Sequence, residues 1–493
     1  MNAERAGGGG WNVLKVLVFL PVAGAAVLAL LPARRALPLW QVAMTFTVAA
    51  LGYALWLAGQ FDPAGTAVQM FESRAWNVRL GSYFALGVDG VSLAMVLLTA
   101  LLSLIAVLVS RRMEEGARLY FLLVLLLESA MFGVFTARDW SLFYVFWEAT
   151  LLPLFFMIDR LGGPNRQRAA LNFFLYTLGG SVFMLVALLF LYDAAPGHSF
   201  AMTDMAEGGR GLPLQTQLLI FAGFFIGFGV KMPVVPLHGW LPLAHVEAPS
   251  PVSILLSGVL LKMGAYGLIR AAETLPAALL AMQDWLAILA FVSLLYGGIL
   301  AWRQQDLKAM VAYSSISHMG VVLLGIASLD VTGLTGAVVQ MVAHGLTAGL
   351  LFLVVGLLYQ RTHSRDLADY TSLLGRAPRF AFFIAFGLLA AIGLPGSAGF
   401  IAELHVLVAA YQRWGGWVLL LGLAMLVGAA YGLRVVGRLC QPGETMEIAD
   451  LTRTETVAAG LLATSIVALG VWPAPLLALV ADSVGQVGRW FGG

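Results

Sequence analysis

Seven ionisable residues in this sequence stand where apolar residues would be expected, and all are of types that exchange protons. Lys262 lies in Ile254-Leu-Leu-Ser-Gly-Val-Leu-Leu-Lys-Met-Gly-Ala-Tyr-Gly-Leu-Ile269, near the middle of an apolar run. Ten residues of helix on either side span about 15 Å, half a hydrocarbon layer, so its ammonium cannot easily snorkel to water. Lys231 adjoins a proline-rich break, and Glu148 stands mid-run in Phe143-Tyr-Val-Phe-Trp-Glu-Ala-Thr-Leu-Leu152. Glu128 is similarly placed one run earlier, Glu403 follows a second break, and His318 and His344 lie near the centres of two later runs. Each ionised group at a bilayer centre costs at least about 2.5–3.5 kcal/mol. The bland alternative is that Glu–Lys pairs glue helices together and the histidines hydrogen-bond across the core. That suffices for either histidine alone, but it explains poorly why Lys231, Lys262, Glu148 and Glu403 occur together. A desolvated lysine releases its proton readily unless a carboxylate stands close, so moving the carboxylate's influence loads or unloads a proton. The chemistry this set offers is proton transfer.

The remaining histidines carry weaker signals. His238 and His245 sit in a polar, proline-rich connection and are expected to line an outward-facing loop; His198 and His363 are expected at the surface, and His405 follows Glu403 by two residues. No two histidines share a helix face at i and i+4 beside a carboxylate, so no metal site is expected. Trp140, Trp147 and Trp240 read as interfacial or packing residues.

The elements that must hold these groups are membrane spans. The 493 residues are 60% hydrophobic and 11% charged, against about a quarter charged in soluble proteins. Runs of spanning length recur at 11–31, 40–59, 90–110, 118–137, 140–159, 169–192, 215–236, 250–272, 283–302, 306–328, 333–359, 380–412, 415–437 and 456–480, which predicts an all-α membrane protein of about fourteen transmembrane helices. The first run is longer than a signal-peptide core, and Arg34 and Arg35 follow rather than precede it, so it reads as a retained span. Basic residues divide 17 to 9 between the loops after odd-numbered spans and the opposite side. The positive-inside rule then puts the odd-numbered loops in the cytoplasm and both termini outside. One cysteine, Cys440, excludes disulfides and cysteine-ligated clusters. No nucleotide-binding fingerprint appears and no nucleic-acid partner is expected.

Two spans are interrupted at comparable places: the seventh at Lys231-Met-Pro-Val-Val-Pro236, the twelfth at Gly393-Leu-Pro-Gly396. Proline removes a backbone donor, and the carbonyls freed survive in a membrane only where protein or water satisfies them. Paired breaks five spans apart suggest two inverted five-helix repeats, spans four to eight and nine to thirteen. The predicted organisation is three N-terminal spans over 1–115, repeats over 116–275 and 276–440, and a last span within 441–493.

The same residues carry a family resemblance. Lys231-Met-Pro-Val-Val-Pro-Leu-His-Gly-Trp-Leu-Pro-Leu-Ala-His-Val-Glu-Ala-Pro249, Val88-Asp-Gly-Val-Ser-Leu93, Phe143-Tyr-Val-Phe-Trp-Glu148 and Asp306-Leu-Lys-Ala-Met-Val-Ala-Tyr-Ser-Ser-Ile-Ser-His-Met-Gly320 resemble the chain M antiporter-like subunits of respiratory complex I, NADH:quinone oxidoreductase. Chain L and the Mrp antiporter subunits are similar but tend to carry lysine where Glu403 stands here. Leu243, Ala402 and Ala309 depart from the residues common in such chains. The resemblance implies that Glu148 pairs with Lys231, that Lys262, His318 and His344 form a relay ending at Glu403, and that Glu128 faces a neighbouring subunit. It also implies an inner membrane, chains L and N as partners, and proton pumping coupled to quinone reduction. Flavin mononucleotide, iron–sulfur clusters and quinone would be held by partner subunits, with no cofactor on this chain. The alternative reading is an Mrp-type cation/proton antiporter component or the related subunit of a membrane-bound hydrogenase.

Overall fold

The computed structural model describes residues 12–32, 36–65, 68–441 and 447–491; Arg5, Arg34 and Arg35 of the charge division lie outside them. Two helices, α1 (Val13–Leu30) and α2 (Ala36–Gln60), precede a β-hairpin of β1 (Gln69–Asn77) and β2 (Ser82–Val88). Then come α3 (Gly90–Val109), α4 (Ala117–Thr136), α5 (Trp140–Ala149), α6 (Leu151–Leu161), α7 (Arg166–Ala194), α8 (Met202–Gly211), α9 (Leu214–Lys231) and α10 (Leu241–Glu247). Span eight is α11 (Ser250–Leu255), a π-turn at Leu256–Leu260 and α12 (Leu261–Thr274). The rest is α13 (Pro276–Arg303), α14 (Leu307–Ala327), α15 (Val331–Thr362), the short α16 (Leu373–Arg376), α17 (Pro378–Ala391), α18 (Ala398–Trp414), α19 (Leu419–Cys440), α20 (Arg453–Val471) and α21 (Ala474–Gly488).

Among the described residues, thirteen helical runs are long and apolar enough to cross a membrane. They match the fourteen expected spans once one long run, Ala398–Cys440, is divided at its bend near Gly415–Val418 and α17 is counted with α18 as the broken twelfth. Both expected breaks are present, between α9 and α10 and between α17 and α18. Burial grades the helices by position. Spans eight and eleven are wholly buried in their most apolar windows, whereas α2, α20 and the α18–α19 run leave most of theirs exposed to lipid or to other chains.

Two details differ from expectation. The chain is not purely α: Gln69–Val88 forms an antiparallel hairpin, which the sequence conceals because its polar and apolar residues do not alternate. The last span also ends early, at Val471, because Pro473 cannot continue the helix and instead starts α21. The apolar face of α21 lies on α3 and α15, with Ser483 accepting a bond from the Gly90 amide at 2.8 Å.

The loops separate into two sets, one at each end of the spans. Contacts join Ala137 to the hairpin, Asp139 to Ala201, and Gly90 to Ser483 on one side. On the other, the segment after span seven meets Asn165, Lys308 and Arg365.

Candidate functional site: a buried line of titratable side chains

Lys262 follows the π-turn directly. Such turns widen the helix and release a carbonyl, and here the Lys262 ammonium donates to the carbonyl of Ser257. It also donates to His344 Nδ1 at 2.7 Å. The approach of span eight to α15 depends on small residues: a Cβ on Gly345, next to His344, would meet the Gly258 carbonyl at 2.8 Å. The ring of His344 lies 5.1 Å from that of His318 on α14, centroid to centroid. His318 Nε2 in turn contacts the Ala391 carbonyl at 2.8 Å. Ala391 is the last residue of α17, so this is a carbonyl freed by the break. Beyond it, Gly393 adopts φ +74° and the Glu403 carboxylate rests where its Cβ would be.

The contact to a carbonyl fixes the tautomer of His318, and the charge state of Lys262 sets that of His344. A carbonyl cannot donate, so His318 carries its proton on Nε2 and leaves Nδ1 as acceptor. While Lys262 is an ammonium, His344 accepts from it on Nδ1 and, when neutral, carries its proton on Nε2. The two nitrogens that remain, His344 Nε2 and His318 Nδ1, have no protein partner. With Lys262 as the ammonium, the contacts to His344 and from His318 to Ala391 both donate in the direction of the break in span twelve.

The row extends backwards through residues that the sequence reading undervalued. His245 is fully buried, stacked on Phe352 at 4.4 Å, and neither of its nitrogens has a partner. Lys262 and Lys308 both lie within electrostatic range of it. It does not line an outward-facing loop: the break in span seven folds α10 into the core, on the side of the odd-numbered loops. Lys308, two residues into the tenth span and on the side of the odd-numbered loops, is itself buried and donates to the Ala248 carbonyl at 2.5 Å. Arg365 donates to the Val246 carbonyl at 2.7 Å, and Glu247 accepts from the Asn165 amide at 2.9 Å. The signal that could have located His245 is its place seven residues beyond His238 in the same broken connection.

The acids fall out differently from expectation. Lys231, at the last position of α9, is buried, donates to Thr150 Oγ1 at 3.2 Å and lies 5.2 Å from the Trp147 ring centre. Thr150 can accept because its own hydroxyl proton is given to the Trp147 carbonyl at 2.8 Å, where α5 gives way to α6. Glu148 acts on Lys231 through space, with no direct ion pair between them among the described residues. Glu148 is part-exposed. Glu128, by contrast, is fully buried and neither of its carboxyl oxygens has a partner. Within this chain α1 covers α4, with Gly24 against Leu125 one turn away, so Glu128 is enclosed, whereas Glu148 is part-exposed with its Oε1 buried and unpartnered. His198 and His363 are exposed as expected, Trp140, Trp147 and Trp240 are buried packing residues, and His405 is tied to the Ile401 carbonyl at 2.7 Å.

Residues 137–428 match the family model described as NADH:quinone oxidoreductase/Mrp antiporter, membrane region. NADH-quinone oxidoreductase subunit M of Rhodobacter capsulatus is 39% identical, over 97% of this chain and 96% of that one. A chain of the respiratory complex I of Thermus thermophilus, solved with bound NADH, superposes with a TM-score of 0.89 at 32% identity, covering 98% of this chain and all of that one. A chain of the Mrp complex of Dietzia superposes at 0.84 with 22% identity, over 96% of this chain and 52% of that one, a likeness of fold.

Proposed function

Because this chain belongs to the NADH:quinone oxidoreductase/Mrp antiporter membrane family, as an antiporter-like membrane-arm subunit of NADH:quinone oxidoreductase, we propose that its buried titratable row is the path by which it moves protons. The observation that carries this is the aligned series Lys262–His344–His318–Ala391, ending at a helix break against which Glu403 lies. Lys308 and His245 feed it from the side of the odd-numbered loops. A proton arriving on Lys262 passes to His344 Nδ1. Release of the Nε2 proton, through bridging water, then protonates His318 Nδ1 and frees the proton on Nε2 toward the break. Glu403 receives it beside the left-handed turn at Gly393.

Lys231 and Glu148 form the control element. They are close enough to bias one another but are not locked together, so a small movement at Thr150 changes how strongly the carboxylate holds the ammonium's charge. Since Glu148 is part-exposed, a neighbouring subunit can alter that bias, and chains of the L and N types are the proposed neighbours. Flavin, iron–sulfur clusters and quinone are assigned to partner subunits, in keeping with a chain that has one cysteine, too few to ligate a cluster. The membrane is the bacterial inner membrane, with the odd-numbered loops cytoplasmic and both termini periplasmic.

The test is the number of protons moved per electron pair by the complex in proteoliposomes. His344→Ala and His318→Ala each lower that number while leaving the subunit composition intact. An unchanged ratio in both variants overturns the path.

A further inference from the structure

At the ends of α2, α3 and α20 on the side of the odd-numbered loops, a cleft of about 1110 Å³ opens at the level where helices leave the membrane. Leu37, Leu108 and Val109 form the apolar part of its lining, with Thr452 and Thr454 on the α20 side. Its outer wall carries two consecutive guanidinium groups, Arg111 and Arg112. Both are exposed, and no carboxylate pairs with either among the described residues. The acids nearby do not cancel them. Glu455 is already bonded to Arg361 at 2.6 Å and to the Thr452 amide at 2.7 Å, which leaves the exposed Glu114 at the rim and the exposed Glu115 outside the lining.

The wall is built rather than incidental. Trp40 donates its indole N–H to the Val107 carbonyl at 3.0 Å, and the Arg111 guanidinium lies 5.3 Å over its ring. The tryptophan therefore holds Arg111 at the interface, the depth that tryptophan itself prefers. Both α2 and α20 pack on α3, and both present exposed apolar side chains, Leu37 in the cleft at 47% and Val457 one turn into α20 at 55%. The cleft thus joins cationic and hydroxyl groups, Arg111, Arg112, Thr452 and Thr454, to the apolar surface of the helices that pack on α3.

We propose that this cleft binds an anionic phospholipid. The phosphate sits against Arg111 and Arg112, and the acyl chains lie along α3 between α2 and α20. Guanidinium forks suit phosphate oxygens, and a basic recess between helices at the cytoplasmic face is the recognised setting for such head groups. The ligand requires both halves of the site: free phosphate would use the arginines and leave the apolar surface uncovered.

The experiment uses the intact complex purified in mild detergent. A phosphatidylglycerol carrying a photoreactive group on its acyl chain is expected to label α3 near Leu108, and the Arg111→Gln/Arg112→Gln double variant is expected to lower that label at least fivefold. The double variant should also retain about one fewer anionic phospholipid per complex. Labelling that matches that of a phosphatidylcholine probe overturns the proposal, as does its displacement by inorganic phosphate. So does protection of the parent cleft by a cross-linked protein chain. Should the double variant fail to assemble, the comparison of the two probes on the parent complex still decides.

Discussion

At Lys262 the local backbone and the side chain serve the same end. The π-turn supplies a carbonyl that holds the ammonium, and Gly345 lets the helix bearing His344 come within hydrogen-bonding distance. A relay needs a lysine that gives up its proton, whereas an ion pair needs only charge. Lys262→Met should therefore slow proton translocation by on the order of 10²-fold, the scale expected when a positioned proton-transfer group is lost. Lys262→Arg, which keeps the charge but cannot deprotonate, should do no better; translocation by the arginine variant at the parental rate would show that charge alone matters. His245 tests the entry limb. Its place between two lysines predicts that His245→Gln lowers translocation several-fold without changing the amount of assembled complex. A parental rate would remove His245 from the path.

At the scale of elements, the two breaks and the ends of the spans carry the arrangement. In span twelve the turn is made by Gly393 at φ +74°, where the Glu403 carboxylate fills the space of a side chain. Gly393→Ala adds a Cβ at a positive φ, costing about 1 kcal/mol or more, and pushes Glu403 from its seat. The expected readout is loss of pumping with little change in complex yield, whereas Gly422→Ala, which meets nothing nearby, leaves both unaltered. On the side of the even-numbered loops, Asp89 caps α3 and binds Arg270 at 2.6 Å and Arg138 at 3.0 Å. Burial alone would raise its carboxyl, but the two arginines outweigh burial and hold it well below the ordinary carboxylate range. The stability this gives is full above that ordinary range and disappears as the pH falls through the lowered folded value. Asp89→Asn should cost about 3–5 kcal/mol at neutral pH by leaving buried guanidinium groups unpaired. Thermal denaturation should show a lower midpoint for the variant, with the gap closing toward strong acid. An equal gap at all pH values would exclude titration of Asp89 as the cause.

For the whole molecule, the orientation follows from charge and can be checked with one residue. Cys440, the sole cysteine, is exposed at the end of α19, on the side proposed to be cytoplasmic. A membrane-impermeant maleimide should label it in inside-out vesicles and not in intact spheroplasts; the reverse pattern would invert the topology. The span count was legible because crossing hydrocarbon demands a fixed length of apolar helix, and the breaks were legible because proline and glycine act locally. The β-hairpin at Gln69–Val88 was not legible, since its strands are held by cross-strand pairing and by the adjoining loops rather than by an alternating apolar face.

By itself the sequence determined that charge lies deep in the membrane, which residues bear it, and which helices break. Those facts follow from composition and from chemistry within a few residues along the chain. Only the tertiary structure decided that Lys262 meets His344, that His318 reaches a carbonyl freed in span twelve, and that His245 lies inside. It also decided that Glu148 is part-exposed while Glu128 is fully buried. Such partners stand some 70–80 positions apart in the chain, and their contact depends on how closely small residues let the helices approach. Hydropathy records which helices cross, but not which faces meet.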